Sequence, residues 1–349
     1  MNSYNNVTEL NTPWDTLIDC IMIKTNHPNA SYYACIISTI YGILIGYIFP
    51  IIGIFGLITN SIVVIIFFSL YQQKNLYFIL LGILAITDIG INILIGWLWL
   101  FPSYGLPYIT SGTIYYFILT KSYIHCRLLK SIQIIWCNLR GNIYILLAFT
   151  RLSLLLLHKP LNYKISTKYF IIILLITILI ISSIISLPLI FYTDLFITKR
   201  LYLTCWFTNY TLFLSIYQIL FSNSCLFQLT FVNLIDLLLL IKIIKWLKQH
   251  NQLTIHNHII IKLKLKKITK IITLILLDFI SFISSIPSSI IYIILVTKTK
   301  PNLQDIRIFT LLILMTWGLI FLQSSLNIIL YYKRIDYFRN YLMKLIHCH

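Results

Sequence analysis

Seven long runs of apolar residues, rather than any short motif, limit what this chain can fold into. A helix needs roughly 20 mostly apolar residues to cross the hydrocarbon core of a bilayer. Such runs lie at about 40–70, 76–101, 123–157, 168–192, 211–241, 270–297 and 307–332. Lipid offers no partners for open backbone groups, and the runs lack the alternation of barrel strands, so each predicts a helix. The sequence therefore predicts an all-α membrane protein, a seven-transmembrane helix bundle.

Composition excludes a soluble or disordered chain. Hydrophobic residues make up 59% of the sequence and charged residues 10%, whereas soluble domains are about a quarter charged. The net charge of +18 comes from cations between the apolar runs, where they set topology and face membrane lipids. We therefore expect no nucleic-acid partner. No motif indicates an enzyme, a cofactor or a metal site, and we read His256 and His258 as residues of a solvated loop.

The distribution of Lys and Arg predicts the orientation. With the N-terminus outside, 17 cations fall in cytoplasmic segments and 9 in extracellular ones, as the positive-inside rule requires. Residues 1–39 are then an extracellular tail, 40–332 the membrane domain and 333–349 a cytoplasmic segment. Residues 105–120 are short and rich in Tyr and Thr, so we expect an interfacial loop there. The N-x-[ST] glycosylation sequons all fall in segments predicted to be extracellular, at Asn6, Asn29 and Asn209.

Topology also sorts the cysteines. Cys126, at the outer start of the third helix, and Cys205, in the second outer loop, share an oxidising compartment and can pair. Cys20 and Cys35 either form a second outer bridge or remain thiols, and the sequence leaves both open. Cys348 follows a basic amphipathic stretch, so it is a candidate for palmitoylation.

Polar residues inside membrane helices are costly and are functional candidates. Asn60 and Asp88 each stand 14 residues from Lys74 in the first inner loop, which places them at matching depth on neighbouring helices. Arg140 stands 14 residues below Cys126, again near mid-membrane. We therefore predict a buried Asp88–Arg140 ion pair, with Asn60 and Asn327 as hydrogen-bond donors to the carboxylate. The alternative is that Arg140 turns toward lipid and snorkels.

The cytoplasmic half carries further markers. Arg151 lies 25 residues after Cys126, about one bilayer away, and Pro287 should kink the sixth helix. Asn327 and Tyr331 share one face of the seventh helix at i and i+4. The stretch after Tyr331 has apolar residues on one stripe and cations on the other, which predicts a short amphipathic helix on the inner leaflet.

Taken in order, these residues resemble the rhodopsin-like G-protein-coupled receptors over roughly 40–348. The matching positions are Gly56–Asn60, Leu84–Asp88, Cys126 with Arg151, Cys205, Pro287 and Asn327–Tyr331. The resemblance implies a plasma-membrane receptor in which an extracellular ligand moves the sixth helix and opens a cleft for a heterotrimeric G protein. Its activation residues would be Asn60, Asp88, Arg140, Arg151, Pro287, Asn327 and Tyr331. A transporter or channel is the alternative.

The resemblance has departures that shape two further expectations. Thr150 replaces the acid that usually precedes the helix 3 arginine, so Asp236 or Asp278 substitutes as the clamp on Arg151, or the receptor is active without ligand. Gln133 stands where amine receptors carry an Asp, which favours a peptide over a small amine. The candidate ligand-binding residues are Trp97, Trp99, Lys130, Gln133, Cys137, Tyr292 and Trp317.

Overall fold

The computed structural model describes residues 13–28, 30–69, 76–156, 168–197, 203–207, 212–221, 225–251, 272, 275–276, 278–291, 293–294 and 303–347. Its helices are α1 (Ile18–Lys24), α2 (Tyr32–Ser69), α3 (Leu76–Ile109), α4 (Tyr123–Leu156), α5 (Lys168–Phe191), α6 (Leu212–Phe221), α7 (Leu226–Asn251), α8 (Asp278–Ile291), α9 (Leu303–Arg334) and α10 (Asp336–His347). Two strands, β1 (Thr193–Ile197) and β2 (Leu203–Phe207), pair antiparallel between α5 and α6.

The described helices belong to a membrane protein. Six of them, α2, α3, α4, α5, α7 and α9, contain segments long and apolar enough to cross a bilayer, whereas α8 is a shorter apolar helix. Large apolar side chains point away from the protein, for example Ile51 at 72% exposed and Leu238 at 60%. Such a surface is stable only against lipid. The chain is therefore a helical multi-pass membrane protein, as its apolar runs predict.

Two helix boundaries differ from the sequence prediction. The first long helix begins at Tyr32 rather than near 40, because the Ser31 hydroxyl caps it and accepts from the Ala34 amide at 3.4 Å. The second continues to Ile109 through π-type turns that include Pro102, so the expected loop at 105–120 is wrong for its first five residues. Wider turns tolerate the missing proline donor.

The predicted fifth span, 211–241, is interrupted. Helix α6 ends at Phe221 and α7 begins at Leu226, with Cys225 in the left-handed region at φ 48°. That backbone conformation is uncommon for a residue with a side chain. The Cys225 thiol donates to the Cys137 carbonyl of α4 at 2.9 Å, which ties the interruption to its neighbour. The sequence gives no proline or glycine at this point, so the break was not predicted.

The loop between α5 and α6 is an unpredicted β-hairpin. Leu195 on β1 pairs with Cys205 on β2, and the Sγ atoms of Cys205 and Cys126 are 2.02 Å apart. Arg127 donates to the Thr193 carbonyl at 3.4 Å. The hairpin is thus fastened to the start of α4 at two adjacent positions. We call this end of the helices the disulfide end and the opposite one the Arg151 end.

The described C-terminal helix matches the predicted amphipathic helix. Phe338 of α10 is fully buried, and its ring lies 5.5 Å from that of Phe67 on α2 and 5.9 Å from that of Tyr331 on α9. The charged residues Asp336 and Arg339 lie on the exposed side. The apolar stripe therefore docks α10 against the Arg151 end of the protein.

Candidate functional site

A buried ion pair joins α3 to α4 near the middle of both helices. Arg140 Nε lies 2.7 Å from Asp88 Oδ1, with the two side chains 10% and 1% exposed. The predicted contact is confirmed, and the snorkelling alternative for Arg140 is wrong. Each charge alone would be costly in a medium without water, and the partner offsets much of that cost.

Arg140 also reaches residues of two further helices. Its Nη2 donates to Gln323 Oε1 of α9 at 3.0 Å and to the Tyr144 hydroxyl at 3.4 Å. Tyr144 in turn contacts the Ser281 hydroxyl of α8 at 3.3 Å. The guanidinium centre lies 5.4 Å from the Tyr144 ring centroid, a cation–π distance. One guanidinium therefore connects side chains of α3, α4, α8 and α9.

The two asparagines predicted to hold Asp88 have different roles. Asn327 donates to Asp88 Oδ2 at 3.4 Å and accepts from Gln323 Nε2 at 3.2 Å, as expected. Asn60 instead donates to the Gly56 carbonyl of its own helix at 2.9 Å. The prediction that Asn60 binds the carboxylate is wrong for the contacts of the described residues, because the amide reaches back one turn rather than across to α3.

A second buried arginine, Arg151, lies near the C-terminal end of α4. Arg151 Nη1 lies 3.5 Å from Asp236 Oδ2 of α7, and Nη2 contacts Asp278 Oδ2 of α8 closely. All three side chains are at most 4% exposed. Of the two outcomes left open for Arg151, the structure has the clamp, and both candidate acids contribute to it. Thr150 instead bonds to the Leu147 carbonyl at 2.8 Å.

A small cavity of about 10 Å³, with room for about one water molecule, lies beside this clamp. It is lined by Tyr77, Leu81, Leu84, Leu147, Arg151, Asp278 and Tyr331. Tyr331 is 2% exposed and packs its ring 5.5 Å from that of Phe67. Arg151 and Tyr331, singled out separately from the sequence, therefore face one space. Pro287 lies farther along α8 and is half-buried.

Residues predicted to bind ligand pack at the disulfide end. Lys130 is 2% exposed, with Nζ 4.7 Å from the Trp99 ring centroid. Gln133 donates to the Leu94 carbonyl at 3.1 Å. These residues face the protein interior.

The other candidates belong to an apolar layer. Trp97 lies 5.5 Å from Phe49 and Trp317 6.1 Å from Phe321, and the two phenylalanine rings are 5.0 Å apart. Cys137 is buried and contributes the carbonyl that accepts from Cys225. Trp97, Trp317 and Cys137 therefore help to build the packing of this end.

Several predicted positions lie outside the described residues: Tyr292, the sequon residues Asn6, Asn29 and Asn209, the loop residues Lys74, His256 and His258, and Cys348. Within the described residues no group of three or more His, Cys, Asp or Glu side chains is arranged to hold a metal ion.

Sequence reasoning missed two groups of buried polar side chains. Gln323 and Ser281, which extend the Arg140 network, are neutral residues on apolar helices and stand out less than charges do. Asp19 and Arg307 form a further buried ion pair at 2.8 Å, across 288 residues. Asp19 lies in the predicted extracellular tail and Arg307 at the start of the seventh apolar run, and no spacing in the sequence relates the two.

No family model matches the chain, and no curated protein matches it.

Proposed function

We propose that this chain is a rhodopsin-like G-protein-coupled receptor of the plasma membrane. In this proposal α6 and α7 together form the fifth of seven spans, and α8 belongs to the sixth. The disulfide end faces outward with the N-terminus, and the Arg151 end and α10 face the cytoplasm.

The observation that carries the proposal is the clamp on Arg151. The guanidinium is held by carboxylates from α7 and α8, and the cavity lies directly beside it. Separating Arg151 from Asp278 would free the end of α8 from α4 and widen that cavity. It would also release a cation into a cleft able to receive a segment of a G protein. Such bistable contacts between packed helices are the usual elements of switching transitions.

The Arg140 network supports a route from the outer half to this clamp. Ser281, at the end of that network, lies three residues from Asp278 on α8, hence on the same side of the helix. A ligand that shifts α9 at Gln323, or α4 at Tyr144, would therefore displace α8 as well. Both arginines lie on α4, and both centres also reach α8, which is their mechanical link in this proposal.

The outer half supports a ligand other than a small cationic amine. Lys130 places a buried positive charge at the disulfide end, and Gln133 offers no negative charge at the position where amine receptors carry an acid. Like charges brought together in a poorly solvated site repel each other. A peptide remains the favoured ligand class.

Nucleotide exchange with the purified chain tests the proposal. The full protein in lipid nanodiscs should accelerate GTP binding by at least one heterotrimeric G protein from a panel that covers the main Gα classes. Arg151→Ala should abolish the acceleration, whereas Arg127→Ala, a surface arginine beside the hairpin, should retain it. Exchange that is unchanged by Arg151→Ala, or absent with every G protein while substrate flux appears in liposomes, would favour the transporter alternative.

A further inference from the structure

Residues 13–28 form a cap on the disulfide end, and this cap is fastened by two separate attachments. Cys20 of α1 lies at disulfide-bonding distance from Cys35 on α2, which resolves the alternative between a bridge and two thiols. Trp14 packs over Gly112, in the turn after α3. The cap therefore touches both α2 and the loop that follows α3.

The second attachment is the ion pair between the cap and α9. Arg307 Nε donates to both carboxylate oxygens of Asp19, at 2.8 and 2.9 Å, and Nη2 donates to the Asp15 carbonyl. Asp19 is 1% exposed and Arg307 is 3% exposed. A carboxylate of the cap is thus buried and bound by a cation near the start of a membrane helix.

Buried polar groups of Arg307, the cap and α2 retain unused hydrogen-bonding capacity. Among the described residues, Arg307 Nη1, the Tyr41 hydroxyl and the Thr16 hydroxyl are buried without a hydrogen-bond partner. Tyr41 and Tyr104 are close enough to Asp15 to interact with it electrostatically. Buried polar atoms are nearly always paired in folded proteins, and a guanidinium commonly binds a carboxylate through two of its N–H groups, so Nη1 is available to a second anionic oxygen.

We propose that Arg307 is a carboxylate-binding residue of the extracellular ligand site, and that Asp19 occupies it as an internal stand-in. An incoming ligand with a carboxylate would take the guanidinium from Asp19. The cap, still attached through Cys20 and Cys35, would shift relative to α9. This inference rests on the proposed receptor function and names the chemistry of its ligand. The ligand must carry a carboxylate, either as a small organic acid or as part of a peptide.

Tethering explains why an internal carboxylate can be displaced without being lost. Asp19 is adjacent to the bridged Cys20, so its effective concentration at Arg307 is high. Removing the Asp19 carboxylate while keeping the bridge leaves the buried guanidinium without the carboxylate that binds its Nε, which is costly. A free carboxylate should then bind and restore stability, and this restoration can be measured without knowing the natural ligand.

The experiment uses the full chain in nanodiscs and its thermal unfolding midpoint. Asp19→Ala should unfold at a lower temperature than the wild type. About 100 mM sodium acetate should raise the midpoint by roughly 2 °C or more relative to sodium chloride at equal ionic strength. Asp19→Ala/Arg307→Gln should show no acetate effect, and neither should Asp194→Asn, which removes an acid from the hairpin. Asp19→Asn, which keeps the side-chain shape, provides a second background if Asp19→Ala is poorly expressed.

Two peptide probes distinguish the source of the carboxylate. N-acetyl-dialanine with a free C-terminus is compared with the same peptide amidated. Rescue by the acid peptide and not by the amide supports a peptide carboxylate, and rescue by acetate alone supports a small acid. Absence of rescue by acetate and by the acid peptide in both Asp19 variants would overturn the inference. Rescue in a chain that activates no G protein would uphold the carboxylate site and overturn the receptor function.

Discussion

Replacing Asp88 by Asn, or Arg140 by Gln, leaves one buried charge without its counter-ion. Arg140 Nε and Asp88 Oδ1 are 2.7 Å apart. Taking a separation between this value and about 4 Å, the approximate distance between the centres of charge, an effective dielectric constant of about 20 gives an attraction of about 4–6 kcal/mol. Desolvation offsets part of this energy. Loss of either partner should therefore destabilise the protein by about 3–5 kcal/mol.

The two single variants should not be equal. Without Asp88, Arg140 retains Gln323 at 3.0 Å and the Tyr144 hydroxyl. Without Arg140, the Asp88 carboxylate retains Asn327 at 3.4 Å as its hydrogen-bond donor among the described residues. Arg140→Gln should therefore be the more damaging change, because its surviving charge keeps fewer partners.

Thermal unfolding of the purified single, double and charge-swapped variants measures the coupling. The free energy of unfolding of Asp88→Asn/Arg140→Gln should exceed the value expected from adding the two single losses by about 2 kcal/mol or more. The exposed Asp336–Arg339 pair, at 3.2 Å, is the matched control. Its variants should differ from wild type by less than about 0.5 kcal/mol. Strictly additive losses at Asp88 and Arg140 would refute the reasoning.

Three further predictions follow from the same contacts. Asp278→Asn should raise basal G-protein activation more than Asp236→Asn, since Asp278 lies closer to Arg151; equal effects in an exchange assay would contradict the unequal clamp. Breaking the Cys126–Cys205 bridge, which spans 79 residues, should lower the free energy of unfolding by about 4 kcal/mol in the chain-entropy model and reduce surface expression. Non-reducing peptide mapping that finds both thiols free would contradict this prediction. Because Arg140 already supplies the cation beside Asp88, the unfolding midpoint should be the same in sodium and potassium chloride, and a stabilisation specific to sodium would show that a metal ion competes there.

The membrane helices and the central ion pair were accessible from sequence for simple reasons. Apolar runs report directly on lipid-facing helices, and a fixed rise per residue converts spacing from Lys74 and Cys126 into depth. The matching depth of Asp88 and Arg140 in the membrane was enough to predict that they pair. It does not give the rotation of a helix about its axis, which is why Asn60 was assigned to the same carboxylate although it bonds to Gly56.

Features that depend on distant or irregular backbone were not predictable in the same way. The pairing of Asp19 with Arg307 joins the first and last parts of the chain, and no local pattern encodes such a contact. The hairpin strands are five residues each, too short for periodicity to identify. The break at Cys225 occurs without Gly or Pro because a thiol-to-carbonyl hydrogen bond and tertiary packing support it.

The distance between the Arg151 ends of α4 and α8 tests most directly whether this protein activates G proteins by releasing its clamp. Spin labels at Ser153→Cys on α4 and Leu276→Cys, just before α8, would report that distance in nanodiscs. In the Asp278→Asn background, adding nucleotide-free G protein should shift the distribution to longer distances. The Arg151→Ala protein should show no shift dependent on G protein. A distribution that stays at the clamped distance with every G protein, in a protein that is folded and labelled, would contradict the proposed mechanism.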